Sequence, residues 1–220
     1  MNAKKTQNTP QFYVFQCTNP SCGLRFTLSG EEKPLQECPR CRIAVAELRQ
    51  TFFQKTIPSF SNTSFPVIEV LLDNLRSTWN VGAIFRSADG AGVSRIHLCG
   101  ITPTPENPQV VKTALGAEKS VDWEYHANGL TLALRAKSDG YHLIALEGGE
   151  NSLPLHTILP LNDSRPILLV AGNEVTGIDP DIFELCDTVT FLPMFGIKNS
   201  LNVAVATGIA LYLLRLSQVR

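Results

Sequence analysis

Residues 168–179 read LLVAGNEVTGID. Leu168 to Ala171 form an apolar run of strand character that stops at a glycine, so a strand's carboxyl end opens into a loop carrying Asn173 and the carboxylate of Glu174. Gly172 lets a ligand approach the backbone, and Gly177 permits a turn before Asp179 and Pro180. A plain strand-to-helix connection has the same local appearance. Outward from this stretch, strand signals at 67–73, 95–99, 121–126, 142–147, 167–171 and 188–194 alternate with helix signals at 80–91, 110–117, 130–138, 180–185 and 201–216. That alternation predicts an α/β domain with a mostly parallel sheet and a ligand site beyond the strands' carboxyl ends.

At 220 residues, 44% hydrophobic and 18% charged, the chain has material for one enzyme-sized core and a small appendage. No apolar run is long enough to span a membrane and MNAKKTQNTPQ has no apolar signal core, so a soluble, cytoplasmic protein is expected. The net charge of −1 is unevenly spread: residues 1–65 carry +4 and the rest −5. Attraction of a polyanion such as RNA is therefore expected of the N-terminal piece.

Four of the six cysteines form two close pairs, Cys17 with Cys22 and Cys38 with Cys41, separated by 15 residues. Thiolates a few residues apart on a turn converge on one metal, and two such turns complete a closed tetrahedral site. FQCTNPSCGLRF followed by ECPRCR looks like a zinc ribbon, with Pro20, Gly23 and Pro39 suited to its turns. Cys99 and Cys186 read as core residues. TFFQKTIPSFSNTSFP reads as a linker. The expected organisation is a zinc-ribbon-like domain at 1–50, a linker at 51–65 and the α/β domain at 66–220.

Two further segments carry polar groups where apolar periodicity predicts helix. In NVGAIFRSADGAGV, residues 80–93, Val81, Ile84, Phe85 and Ala88 make one stripe, Asn80 is the expected N-cap, and Arg86 faces the other way. In FLPMFGIKNSLNVAVATGIALYLL, residues 191–214, Ser200 is the expected N-cap of a final helix that is apolar on all sides. Such a helix needs cover on every face, which suggests a partner subunit. Dinucleotide, phosphate-loop and hydrolase-elbow glycine patterns are absent. The four histidines, His97, His126, His142 and His156, show no metal or acid/base spacing and read as structural or solvated.

N-x-G-x-x-x-R at 80–86, G-N-E-x-x-G at 172–177 and P-M-x-G-x-x-x-S-L-N-V at 193–203, in that order, resemble the three signature motifs of the SpoU (TrmH-like) RNA ribose methyltransferases of the SPOUT class. KTALGA at 112–117 resembles the family's intervening segment. The resemblance implies a C-terminal trefoil knot, a homodimer, S-adenosylmethionine as cofactor, and methyl transfer to a ribose 2′-OH of tRNA or rRNA. Asn80, Arg86, Glu174, Ser200 and Asn202 match its catalytic polar positions. Ala171, Gly172, Asn173, Gly177, Leu192, Met194 and Leu201 match its cofactor contacts. Val175 departs from the usual glycine, which leaves the shape of this loop open. Arg86 is left between base and electrostatic partner, because an arginine with a pKa above about 12 is a poor base. A catalytically inactive zinc-ribbon RNA-binding adaptor is the alternative reading.

Overall fold

The computed structural model describes residues 11–29, 36–52, 65–161 and 164–218. Contacts divide the chain into two compact units, with the boundary between Asn62 and Thr63. In the first, strands β1 (Gln11–Cys17), β2 (Arg25–Ser29) and β3 (Val45–Phe52) form an antiparallel sheet with β1 at its centre. β3 runs two residues into the stretch expected as a linker, and 53–64 lie outside the described residues. Phe15 stacks on Phe26 with ring centroids 5.7 Å apart, and Phe15, Cys17 and Cys38 are the buried hydrophobics described in this unit.

The second unit contains β4 (Ile68–Asp73), α1 (Thr78–Ala91), β5 (Arg95–Cys99), α2 (Pro108–Ala114), β6 (Asp122–His126), α3 (Gly129–Ser138) and β7 (His142–Leu146). Then come β8 (Leu153–Pro154), β9 (Ile167–Ala171), α4 (Pro180–Leu185), β10 (Thr188–Phe191) and α5 (Val203–Ser217). The sheet order is β6-β5-β4-β9-β7-β10-β8, and every pairing is parallel. α1, α2 and α5 bury their apolar stripes on one face, where Val81, Ile84, Phe85 and Leu211 meet Ile68, Val70 and Leu169. α3 and α4 cover the other, packing Leu132, Ala133 and Ile182 against Leu71, Leu143 and Val170. Alternate residues of strands buried on both faces explain their continuous apolar runs. No helix among the described residues is long and apolar enough to cross a membrane.

The helix starts differ from the expected ones. α1 begins earlier than Asn80: Ser77 is the N-cap, its hydroxyl accepting from the Asn80 backbone N–H at 3.3 Å. The N-cap of α5 is Asn202 rather than Ser200, accepting from the N–H groups of Ala204 and Val205. α2 starts at Pro108 behind an Asn107 cap and stops at Ala114, because Leu115 and Gly116 turn left-handed. Gly82 permits the close crossing of α1 and α2, since a Cβ there would lie 2.6 Å from Thr113 Cβ and 2.7 Å from Val110 O.

Among the described residues, the final helix is covered on one side only. Ala204, Ala210, Leu211 and Leu214 are buried, while Val205, Ile209, Tyr212 and Leu216 form an exposed stripe.

Candidate active site

The carboxyl ends of β7, β9 and β10 and the start of α5 enclose a cavity of about 850 Å³, within the size range of small-molecule sites. Its base is set by a crossing of backbone on backbone. A Cβ on Gly172 would strike the Gly177–Ile178 peptide, so this glycine serves chain packing rather than ligand approach alone. Gly177 has φ +76°, and a Cβ there would strike the Glu147 carboxylate. Asn173 and Gly177 exchange two backbone hydrogen bonds of 3.0 Å, closing the loop as a small hairpin. The Asn173 side chain accepts from the N–H groups of Val175 and Thr176 and donates to Asn74 O. Val175 has no positive φ and is 78% exposed, so replacing the usual glycine leaves the loop's backbone unstrained.

All three sequence segments meet at one hydrogen-bonded chain. Asn202 Nδ2 donates to Asn80 Oδ1 at 3.0 Å, and Asn80 Nδ2 donates to Glu174 Oε1 at 2.9 Å. The backbone N–H groups of Arg76 and Ser77 also donate to Glu174. Burial favours the neutral acid, but hydrogen bonds from its own backbone, from Asn80 and from Arg76 and Ser77 outweigh it and hold the carboxyl below its ordinary value. A carboxylate at the free N–H groups of a helix start is also favoured by the helix dipole.

Gly172, Asn173, Glu174, Gly177, Leu192, Met194, Ser200, Leu201 and Asn202 line the cavity. Ala171 is buried in the core beneath α1 and α5 instead. The start of α5 is open: Ser200, Leu201 and Asn202 are exposed. Arg86 is exposed and stands apart from the Asn202–Asn80–Glu174 chain. Six residues beyond Asn80, it is about 9 Å further along the helix and on another side of it. Glu147 was not among the expected residues, yet it lines the cavity and accepts from Ile178 N at 2.8 Å. Its signal was available: EGG follows the apolar run of β7 much as GNE follows that of β9.

In the N-terminal unit the four expected thiols converge. Cys17 Sγ lies 3.4 Å from Cys41 Sγ, Cys22 Sγ lies 3.8 Å from Cys38 Sγ, and the four sulfurs form one potential metal-ligand set. Each pair sits on a turn ending in a left-handed residue, Gly23 at φ +56° and Arg42 at φ +59°. Burial and the neighbouring thiols push Cys17 up to about 12. Burial also opposes the Cys38 thiolate, but N–H groups of Cys41 and Arg40 bring it down to about 7. Four thiols this close can all ionise only around a cation, and the set fits a closed tetrahedral zinc site.

The α/β fold, the cavity and the three converging segments define a SPOUT-class protein. The sequence pattern of the SpoU rRNA Methylase family matches residues 67–212, and the chain belongs to that family. It is 32% identical over 144 residues to the tRNA (guanosine(18)-2'-O)-methyltransferase of Aquifex aeolicus, covering 65% of this chain and 66% of that protein. To the 23S rRNA (guanosine-2'-O-)-methyltransferase RlmB of Pectobacterium atrosepticum it is 32% identical over 151 residues, 69% of this chain and 60% of the relative. The chain thus spans just under two thirds of the length of these relatives. The crystal structure of the A. aeolicus TrmH/SpoU tRNA modifying enzyme superposes with a TM-score of 0.61 at 31% identity, over 68% of this chain and 74% of that one. That of an AdoMet-bound rRNA methyltransferase from Sinorhizobium meliloti gives 0.66 at 27% identity, over 82% of this chain and 67% of that one.

Proposed function

We propose that this chain transfers the methyl group of S-adenosylmethionine to a ribose 2′-OH of tRNA or rRNA in the cytoplasm. The observation that carries this reading is the Asn202–Asn80–Glu174 chain, which joins the three motif segments at the cavity rim. The cavity fits the cofactor by size, and its lining joins apolar side chains such as Leu146, Leu192 and Met194 to the polar groups of Glu147, Glu174, Lys198 and Asn202. When bound, the cofactor supplies an already activated methyl group. The protein's share is alignment, worth several kcal/mol on general grounds, and handling of the 2′-OH proton. Asn80 and Asn202 hold the rim in register with Glu174. The Arg86 guanidinium stabilises the developing alkoxide or the adjoining phosphate, and Ser200 relays the 2′-OH proton to solvent water. The β9–β10–α5 segment is read as the threaded trefoil that the family resemblance implies.

A homodimer completes the site. The exposed stripe of Val205, Ile209 and Tyr212 lines a shallow apolar groove with Ala83 and Ser87. Arg86 borders that groove through its neighbours on α1, so a second copy seated there brings an arginine to a cavity that its own chain's Arg86 does not line. The domain at 1–50, with zinc on its four cysteines and the surplus positive charge, supplies RNA affinity, while 66–220 holds the cofactor.

Single-turnover transfer from labelled S-adenosylmethionine to tRNA and rRNA, followed by nucleoside analysis, tests this reading. A 2′-O-methylnucleoside is expected. Arg86→Ala should slow transfer by about 10² with cofactor affinity and thermal stability near wild type. Cofactor binding without transfer to either RNA class would instead mark an inactive RNA-binding adaptor.

A further inference from the structure

We propose that His97, His126 and Glu124 form a second metal site, for a divalent cation of the zinc class, on the sheet face covered by α3 and α4. Spacing along the chain hides this set, and the parallel register assembles it. His97 pairs with Glu124 and Cys99 with His126 across β5 and β6, so the three side chains project from the same face. His97 pairs with Leu71 on β4, which is buried beneath α3 and α4.

The donor atoms are close and oriented. His97 Nε2 lies 2.8 Å from Glu69 Oε2. A carboxylate oxygen only accepts, so Nε2 carries the hydrogen toward Glu69, and Nδ1 is the ring nitrogen that faces His126 Nε2, 3.0 Å away. Glu124 Oε2 lies 3.7 Å from that same His126 nitrogen. These spacings bracket the ligand–ligand edge of about 3.3 Å that follows from tetrahedral bonds of about 2.0–2.1 Å. All three donors lie within 4.8 Å of one another. Glu69 behind His97 completes the carboxylate–histidine–metal arrangement that fixes a ligand's tautomer.

Two imidazoles and one carboxylate favour zinc over calcium or magnesium. Binding requires that the hydrogen shared between His97 Nδ1 and His126 Nε2 leave that contact, so that both nitrogens present lone pairs to the cation. The half-exposed Glu124 opens the site to solvent, which supplies the fourth ligand. Arg95 approaches Glu124 at 3.9 Å, but both side chains are solvated and so long a contact holds the carboxylate weakly. None of the three residues lines the cavity described above. The cation would pin β6, the edge strand, to β5.

Zinc is titrated into the full chain by calorimetry, with bound metal counted by elemental analysis. Wild-type protein should bind one more equivalent than His126→Ala. Glu124→Gln, at an exposed position, should keep the fold and weaken that equivalent about tenfold or more. Hydrogen exchange in 122–126 should slow on zinc addition in wild type and not in His126→Ala. Equal stoichiometry in wild type and His126→Ala, or an equivalent that survives both substitutions undiminished, overturns the site. Since the readout is a difference between variants, it stands whatever the N-terminal thiols hold.

Discussion

In the N-terminal unit, the residues described as buried hydrophobics are Phe15 and two of the four clustered cysteines, whereas the second unit packs two apolar clusters against opposite faces of a seven-stranded sheet. With so little apolar contact among its described residues, a three-stranded sheet gains from a ligand to offset the entropy of ordering its chain. The α/β unit has enough core to tolerate exposed polar machinery at one edge. Order in the first region therefore hangs on one ligand, and order in the second on distributed burial. That difference also decides what each region can lose: the first fails as a whole, while the second loses function before it loses fold.

The largest expected effect follows from removing that ligand. Cys38→Ser with Cys41→Ser takes away half of the thiol set. Structural zinc contributes on the order of 10 kcal/mol to small domains, so the amides of 11–52 should lose protection from hydrogen exchange entirely. Protection in β4, β5 and β9 should stay unchanged. Cooperative loss in both regions would show that they are not energetically separate.

An intermediate effect is expected at Glu174. Glu174→Ala removes the acceptor shared by Asn80, Arg76 and Ser77 and should cut methyl transfer by about 10² to 10³, with the core intact. The same carboxyl gives a pH signature. Its pKa is lower folded than unfolded, so its contribution is fully present above the ordinary carboxylate range and is lost as pH falls through the folded value. Acid titration should thus loosen the 172–177 loop in wild type, and Glu174→Gln should flatten that dependence. A Gln variant with the wild-type acid profile would remove Glu174 from the account.

What the sequence disclosed divides along a similar line. Strands Arg95–Cys99 and Ile167–Ala171 and helix Pro180–Leu185 were legible to the residue, because period and turn chemistry are local. The thiol set was legible for the same reason: two turns of a few residues carry it. Both long helix starts were misplaced because two cap-forming residues compete at each end. Ser77 and Asn80 lie within one turn, as do Ser200 and Asn202, and only the backbone decides which of them caps. Glu147 and the Glu69–His97–His126 contacts were hidden altogether. They depend on strand register and on which strand lies beside which, and composition carries no record of either.

The smallest effect separates cap from site within a single turn of α1. Ser77 caps the helix and Asn80 belongs to the polar chain, although the sequence alone suggested Asn80 for the cap. Ser77→Ala should therefore cost about 1 kcal/mol of thermal stability, the usual value for losing an N-cap side chain. Asn80→Ala should leave stability within about 0.5 kcal/mol, because the Asn80 backbone N–H still reaches the Ser77 hydroxyl and only exposed side-chain contacts are lost. Its consequence should fall on transfer rate, since Asn202 then has no oxygen to donate to and Glu174 loses a partner. Thermal melts and single-turnover rates on the two variants together decide the matter. If Asn80→Ala proves the less stable of the pair, the residue acts on the helix rather than on the substrate side of the rim, and the hydrogen-bonded chain loses its claim to organise the site.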